Sequence, residues 1–382
     1  MRAALIAVWA VILTTAIVQT ANGLQTDLLG LRAGLESFSP FGVSIFMAGY
    51  YVGYSLGPLL CPVAIRRLGH PATIAGGLLI AAAIIVLHGL FVTPVAWTIL
   101  RAISGTALAC VYIAFESWIN DRAENRVRGR VFSLYMVAQM IGMTAAQFLL
   151  MIASPKTLEL FLLAAALFAI GAVPVVVKRG TAPLHTTIER VTLTRLSRIM
   201  RELFALTPLG LIETFLSGVS WSIVFTFASV YAQHAGLSVS QFSWFMGGAM
   251  AAASLWQFPL GWISDAAGRR LTLILMCAAG TGAASFGAWA NGQGLALEYA
   301  ASALVGASVF PLYSVAVAHT NDKIAPAVRV PAAAALVLLF GLGSIVGPLA
   351  VGQAMTWLGV AGYYEVLAAV MGMSLAAALA TR

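Results

Sequence analysis

Charge is what this sequence has least of. Asp, Glu, Lys and Arg make up 9% of its 382 residues, against about 25% in an ordinary soluble domain. So little charge excludes a soluble globular chain of ordinary composition. Acids are scarcer than bases, 13 against 21, and the net charge is +8. The basic excess does not point to nucleic acid, because it is divided among alternate loops with no aromatic-interleaved basic patch. Cysteine is also scarce: Cys61, Cys110 and Cys277 each lie in or beside an apolar run. An odd count excludes a disulfide framework in which every cysteine is paired, and no two share a metal-ligand spacing. No metal and no cofactor are expected. A glycine-rich phosphate loop is missing, which argues against ATP-driven work. No catalytic triad or paired catalytic acids can be assembled, so an enzyme is not expected.

What the chain has is apolar length. It is 61% hydrophobic with a mean hydropathy of +0.94. A membrane-spanning helix needs ~20 apolar residues, and about twelve such runs can be placed. They cover about 3–28, 41–65, 72–92, 95–118, 131–153 and 158–177 in the first half. In the second half they cover 208–231, 241–263, 271–290, 296–319, 331–355 and 361–380. The first run is read as a retained span rather than a signal peptide, since no small-residue cleavage site follows it. Residues 178–206 form the one long polar segment, a linker between halves 1–177 and 207–382. Its stretch near 194–204 has the pattern of an amphipathic helix lying on anionic lipid. The fold expected is an all-α polytopic membrane protein of twelve transmembrane helices. Of the 21 Lys and Arg residues, all but Arg32, Lys156 and Arg101 then fall on one side. The positive-inside rule makes that side cytoplasmic and puts both termini there.

The two halves repeat. Phe46, Met47, Gly49, Ser55, Leu56 and Gly69 fall on Phe245, Met246, Gly248, Ser254, Leu255 and Gly268 without a gap. After a small shift, Gly105, Tyr112, Asn120, Asp121 and Arg128 fall on Gly306, Tyr313, Asn321, Asp322 and Arg329. Between two apolar runs stands Gly261-Trp262-Ile263-Ser264-Asp265-Ala266-Ala267-Gly268-Arg269-Arg270. So short a connection reverses the chain on one side of a membrane. Gly268 gives the backbone freedom for the reversal, and Arg269 and Arg270 mark the cytoplasmic side. Asp265 ends an apolar helix, where the dipole disfavours an acid. It is expected to meet another helix's N-terminus or an arginine; the alternative is a solvated loop acid.

This loop resembles the signature Gly-x-Leu-x-Asp-Arg-x-Gly-Arg-Arg of the major facilitator superfamily. Gly261, Asp265, Gly268, Arg269 and Arg270 match, while Ala266 replaces an arginine. Arg101 to Gly105 resembles the fourth-helix Arg-x-x-x-Gly motif, and Glu116 with Arg128-Gly129 resembles the acid and Arg-Gly pair flanking the next loop. Within the superfamily, Glu116 to Asn120, Pro311 to Ser314 and His319 to Asp322 resemble the YcaD-like bacterial branch. The first-half copy of the signature departs from the pattern, with Pro62, Arg66 and His70-Pro71 at its key places. The resemblance implies two six-helix halves related by an axis along the membrane normal and rocking around a central site.

The resemblance also directs attention to the polar residues within the spans. Asp265 is expected to cap the fifth helix and to pair with Arg128 or Arg130 when the cytoplasmic side closes. Gly268, Arg269 and Arg270 complete that gate. In the other half Arg66 would face Arg329 and repel it. Glu116 is expected to pair with Arg66, Arg67 or Arg128; the alternative is proton coupling. Arg101 is a candidate to bind an anionic substrate group, the alternative being a pair with a helix dipole or Asp27. Glu213 is a proton-site candidate, the alternative being a group that snorkels to the membrane boundary. Asp27, Glu298 and Glu365 lie near outer helix ends, as gate or interface groups. Uncharged cavity candidates are Gln19, Asn22, Gln25, Tyr112, Gln139, Gln147, Trp221, Gln257 and Tyr313; each could instead bind helices together. Gly49, Gly53 and Gly57 form a smooth helix face. The Gly347-Pro348 pair on the eleventh span resembles an antiporter signature that belongs on the fifth, so exchange is not supported.

The expected function is secondary transport of a small organic solute across the bacterial inner membrane by a monomer, with protons as the coupling ion. A uniporter of the same fold, or a transport-inactive sensor or assembly protein, would share these features. Substrate and direction are not written in the sequence.

Overall fold

A computed structural model describes residues 2–122, 125–178, 193–325 and 328–381. Among these, the side chains at 2–8, 125–130, 132–133, 193, 195–196, 258 and 329–331 are also outside the described set. The described residues are helical, with no strand among them. That is the expected solution in lipid, where every backbone N–H and C=O must be satisfied within its own segment.

Thirteen α-helices are described. They are α1 (Arg2–Leu35), α2 (Pro40–Leu90), α3 (Pro94–Arg122), α4 (Asn125–Leu149), α5 (Glu159–Val177), α6 (Leu193–Leu206) and α7 (Pro208–His234). The remaining six are α8 (Val239–Ala267), α9 (Arg269–Ala290), α10 (Leu295–Val309), α11 (Leu312–Asp322), α12 (Arg329–Leu358) and α13 (Gly362–Ala380). α2 is two spans joined at Gly69, whose φ of 78° breaks the helix. α10 and α11 make one span, interrupted at Phe310-Pro311. An unbroken helix was expected there, but Pro311 has no N–H to donate and its ring crowds the preceding turn. α6 lies in the linker. The remaining helices supply the twelve spans of an all-α polytopic membrane protein.

The sequence repeat is a structural repeat. Gly69 and Gly268 hold matching turns, with φ of 78° and 92°, a region that L side chains rarely adopt. The helix crossings match as well. A Cβ on Gly142 of α4 would stand 2.4 Å from the Ala16 carbonyl oxygen of α1. A Cβ on Gly343 of α12 would stand 2.1 Å from the Phe215 carbonyl oxygen of α7. Both crossings exist because glycine lets two backbones touch.

The residues cluster into two compact units. One comprises Met1–Arg32 and Val52–Val191, the other Ala33–Tyr51 and Thr192–Arg382. Ala33–Tyr51 therefore groups with the second half of the chain. Gly352 of α12 abuts Ser44 and Pro40 so closely that a Cβ would fall 2.4 Å from the Ser44 Cβ. Among the described residues α7 is a deeply enclosed spanning helix, with 83% of its most apolar stretch buried.

Candidate functional site

In the first unit, polar groups converge on α1. Gln19, Asn22 and Gln25 recur every third residue and share one side of the helix. The Gln19 amide is used at both ends: Tyr112 Oη donates to its Oε1 at 2.8 Å, and its Nε2 donates to Gln139 Oε1 at 2.8 Å. This chain ties α3, α1 and α4 with three uncharged side chains. Two turns away, Gln25 Nε2 donates to Ser104 Oγ at 3.3 Å. Gln147 Nε2 donates to Asp27 Oδ2 at 2.8 Å. The buried oxygens Asn22 Oδ1, Gln25 Oε1 and Asp27 Oδ1 have no hydrogen-bond partner among the described residues. All three are acceptors, so this side of α1 has capacity for hydrogen-bond donors. Arg101 is buried on α3, one turn from Ser104.

In the second unit, aromatic rings gather on α7. The Trp221 ring of α7 lies 4.5 Å from Phe225, 5.9 Å from Phe310 and 6.0 Å from Phe340. Tyr313 of α11 meets Phe340 edge-on at 4.8 Å. The α10–α11 interruption places Phe310 at this cluster, so the helix break serves the platform. The opposite partners of α7 are different in kind. Glu213 is fully buried, and Cys277 of α9 directs Sγ to its Oε2 at 3.7 Å. Ser374 of α13 lies beside the same carboxyl. Glu213 thus sits toward α9 and α13, apart from the Trp221 cluster.

The charged loop is a clamp. Arg269 contacts Asp265 at 2.6 Å, Asp322 at 3.1 Å and Ser264 Oγ at 2.9 Å. Arg270 donates to the carbonyl oxygens of Ala378 at 3.1 Å and Leu379 at 3.0 Å, tying the loop to the end of α13. Gln257 joins Ser264, Asp265, Arg269 and Ser314 around a cavity of about 210 Å³. The arginine found at Asp265 is therefore its own neighbour one turn on. Arg128, Arg130 and Arg329 have side chains outside the described set, so the expected Asp265–Arg128 and Arg66–Arg329 contacts lie there too. Glu116 is exposed on α3, as are Arg66 and Arg67 on α2, and Glu116 pairs with neither among the described residues. In the first unit His70 stands where Arg269 stands in the second. It shares a hydrogen bond with Ser117 Oγ at 3.0 Å and meets the Trp118 ring at 6.2 Å. At these matched positions the second unit has an arginine in ion pairs and the first a histidine in a hydrogen bond.

The profile of the Major Facilitator Superfamily matches residues 3–212 and again 210–382. The chain belongs to the major facilitator superfamily. It is 25% identical over 335 residues to the uncharacterized MFS-type transporter YcaD of Escherichia fergusonii, covering 86% of this chain and 83% of that one. The YcaD protein of Escherichia coli (strain K12 / DH10B) is 24% identical over the same shares. Among solved structures, the nucleoside transporter NupG superposes with a TM-score of 0.79 over 98% of both chains, at 14% identity. A bacterial homologue of the human lysosomal transporter Spinster, in an inward-facing and unoccupied conformation, gives 0.73 over 98% of this chain and 95% of that one, at 14% identity. At such identity these two likenesses establish the fold. Membership of the superfamily makes the chain a multi-pass membrane transporter of a small molecule, and not an enzyme.

Three features escaped the sequence reading. Asp322 is the second acid on Arg269; the recurrence of Asn120-Asp121 as Asn321-Asp322 was a signal for it. Phe310 and Phe340 complete the aromatic platform, but phenylalanines within apolar runs are too common to single out. Cys277 and Ser374 around Glu213 come from distant spans and leave no local signal.

Proposed function

We propose that this transporter is a secondary carrier of a small polar organic solute, working by alternating access in the bacterial inner membrane with both termini cytoplasmic. The observation that carries this reading is the Tyr112–Gln19–Gln139 chain beside the unfilled acceptors of Asn22 and Gln25. A solute bearing hydroxyl or N–H donors satisfies those acceptors. Within the second unit, the Trp221 platform is a separate candidate surface that offers stacking area to an apolar or planar group. Arg101 and Gln257 are further contacts in this reading, and Arg269 with Asp265 and Asp322 belongs to the gate. The chain acts as a monomer.

Proton coupling is assigned to Glu213, an enclosed carboxyl next to a thiol and a hydroxyl. Uniport is the second reading, and one observation favours it: every member of the Tyr112–Gln19–Gln139 chain is uncharged. The test is a thermal-shift screen of the purified protein against polar solutes, repeated with Gln19→Leu and Trp221→Phe. A ligand at a hundred times its Kd stabilises the native state by about 2.7 kcal/mol. A solute that stabilises the wild type and loses its effect in Gln19→Leu supports the α1 site, and one that loses it in Trp221→Phe supports the α7 platform. A solute whose effect survives both places binding elsewhere. For a solute that passes, Glu213→Gln separates the coupling readings: loss of gradient-driven uptake with retained exchange supports coupling, and unchanged uptake supports uniport.

A further inference from the structure

We propose that α6 is a membrane-surface helix that binds anionic phospholipid headgroups on the linker side of the bilayer. The helix has two distinct sides. Ile199 and Leu203, one turn apart, are buried against the second unit, where α6 contacts α12 and α7. Arg198, Arg201 and Phe204 follow one another at intervals of three on the side away from Leu203, and all three are exposed. The sequence extends this row N-terminally with Arg195. Arg198 and Arg201 make no ion pair among the described residues, although Glu202 lies beside them.

The position of α6 selects the partner. Thr207 separates it from Pro208, the first residue of the span α7. Phe204 and Leu206 are therefore within about 6 Å, measured along a helix, of the point where the chain enters the membrane. They are 54% and 60% exposed. Apolar side chains at that depth, with arginines one turn further out, match the layering of acyl chain and headgroup. Three arginines against one glutamate leave the helix net positive, which selects an anionic surface. Because α6 packs on α7 and α12, lipid held here acts on helices that carry the Trp221 platform.

Each basic residue near an anionic surface contributes roughly a fivefold gain in partitioning, so Arg198 and Arg201 together contribute about 25-fold. The experiment uses the full chain with Cys61, Cys110 and Cys277 replaced by alanine and Phe204→Cys carrying an NBD fluorophore. The protein is placed in nanodiscs of phosphatidylcholine alone or mixed with phosphatidylglycerol. Phosphatidylglycerol should shift the emission to the blue and make it quenchable by a shallow doxyl lipid. Arg198→Gln with Arg201→Gln should abolish that lipid dependence, while the Lys variants at both positions keep it. The arginines are exposed, so these variants fold, and an unchanged melting temperature verifies that they do. A label that reports water in both lipid mixtures overturns the proposal and leaves this side of α6 to a cytoplasmic protein. A blue shift that is equal in both mixtures and insensitive to the arginines overturns the headgroup assignment.

Discussion

Substituting alanine for Gly142 tests the repeat at one of its close helix crossings. The added Cβ meets the Ala16 carbonyl oxygen at 2.4 Å, the Gln19 Cβ at 2.8 Å and the Thr20 nitrogen at 3.0 Å. Ordinary carbon–oxygen contact begins about 1 Å further out. Two of these three neighbours are backbone atoms, which cannot rotate aside, so α1 and α4 must separate. Overpacking of this kind costs typically ~1–3 kcal/mol. Gly343→Ala provides the matched control: its Cβ meets the Phe215 carbonyl oxygen at 2.1 Å and the Val219 nitrogen at 3.1 Å. Both variants should melt several degrees below the wild type in the same detergent. They should differ in ligand response. Gly142→Ala presses directly on Gln19 and so on the hydrogen bonds to Tyr112 and Gln139, whereas Gly343→Ala touches no such chain. Solute-induced stabilisation should therefore fall more in Gly142→Ala than in Gly343→Ala. Unchanged melting in either variant would refute the close crossing. Equal loss of ligand response in both would refute the special position of Gln19.

Other substitutions probe separate parts of the structure. Gln19→Leu removes the hydrogen bonds that join Tyr112 and Gln139 through Gln19, and differential scanning fluorimetry should register about 1–3 kcal/mol lost; no loss would mean that the chain is dispensable. Asp265→Asn should alter stability by less than ~1 kcal/mol, since its side chain is 69% exposed and Arg269 retains Asp322. A much larger loss in that variant would show that Asp265 has a second, stronger partner. Glu298→Ala removes a buried acceptor that takes hydrogen bonds from Tyr231 Oη at 2.6 Å and the Gly292 N–H at 3.1 Å. Its melting curve should shift by the equivalent of at least ~1.5–3 kcal/mol, and a neutral result would argue that water replaces the carboxylate.

The architecture was legible because lipid permits so few solutions. Apolar runs of the right length, basic residues in alternate loops and a glycine repeated at 69 and 268 were enough to give the helices and the turns, and the likeness to the superfamily rested on the loop from Gly261 to Arg270. The interruption at Pro311 was less visible, since proline within a span is common and only neighbouring helices decide whether it breaks the chain. Site residues were legible by type but not by partner. Gln19, Tyr112 and Gln139 stand out as polar groups in apolar runs, yet their order in a chain depends on how three helices rotate. Asp265 meets Arg269, because an acid and an arginine four residues apart across a short turn are close from the outset; its expected contact with Arg128 or Arg130 lies outside the described residues. Glu213 was expected to serve as a proton site from its isolation on α7. Its neighbours Cys277 and Ser374 follow only from the packing of α9 and α13.

The most direct test of the central claim is uptake into proteoliposomes of the solute that most stabilises the purified protein, measured with and without an inward proton gradient. The account predicts saturable uptake that Gln19→Leu and Trp221→Phe weaken, and that a gradient drives uphill. Saturable uptake indifferent to the gradient would keep the carrier and remove the coupling. Binding without any flux or exchange would contradict the account and assign the chain to a transport-inactive sensor.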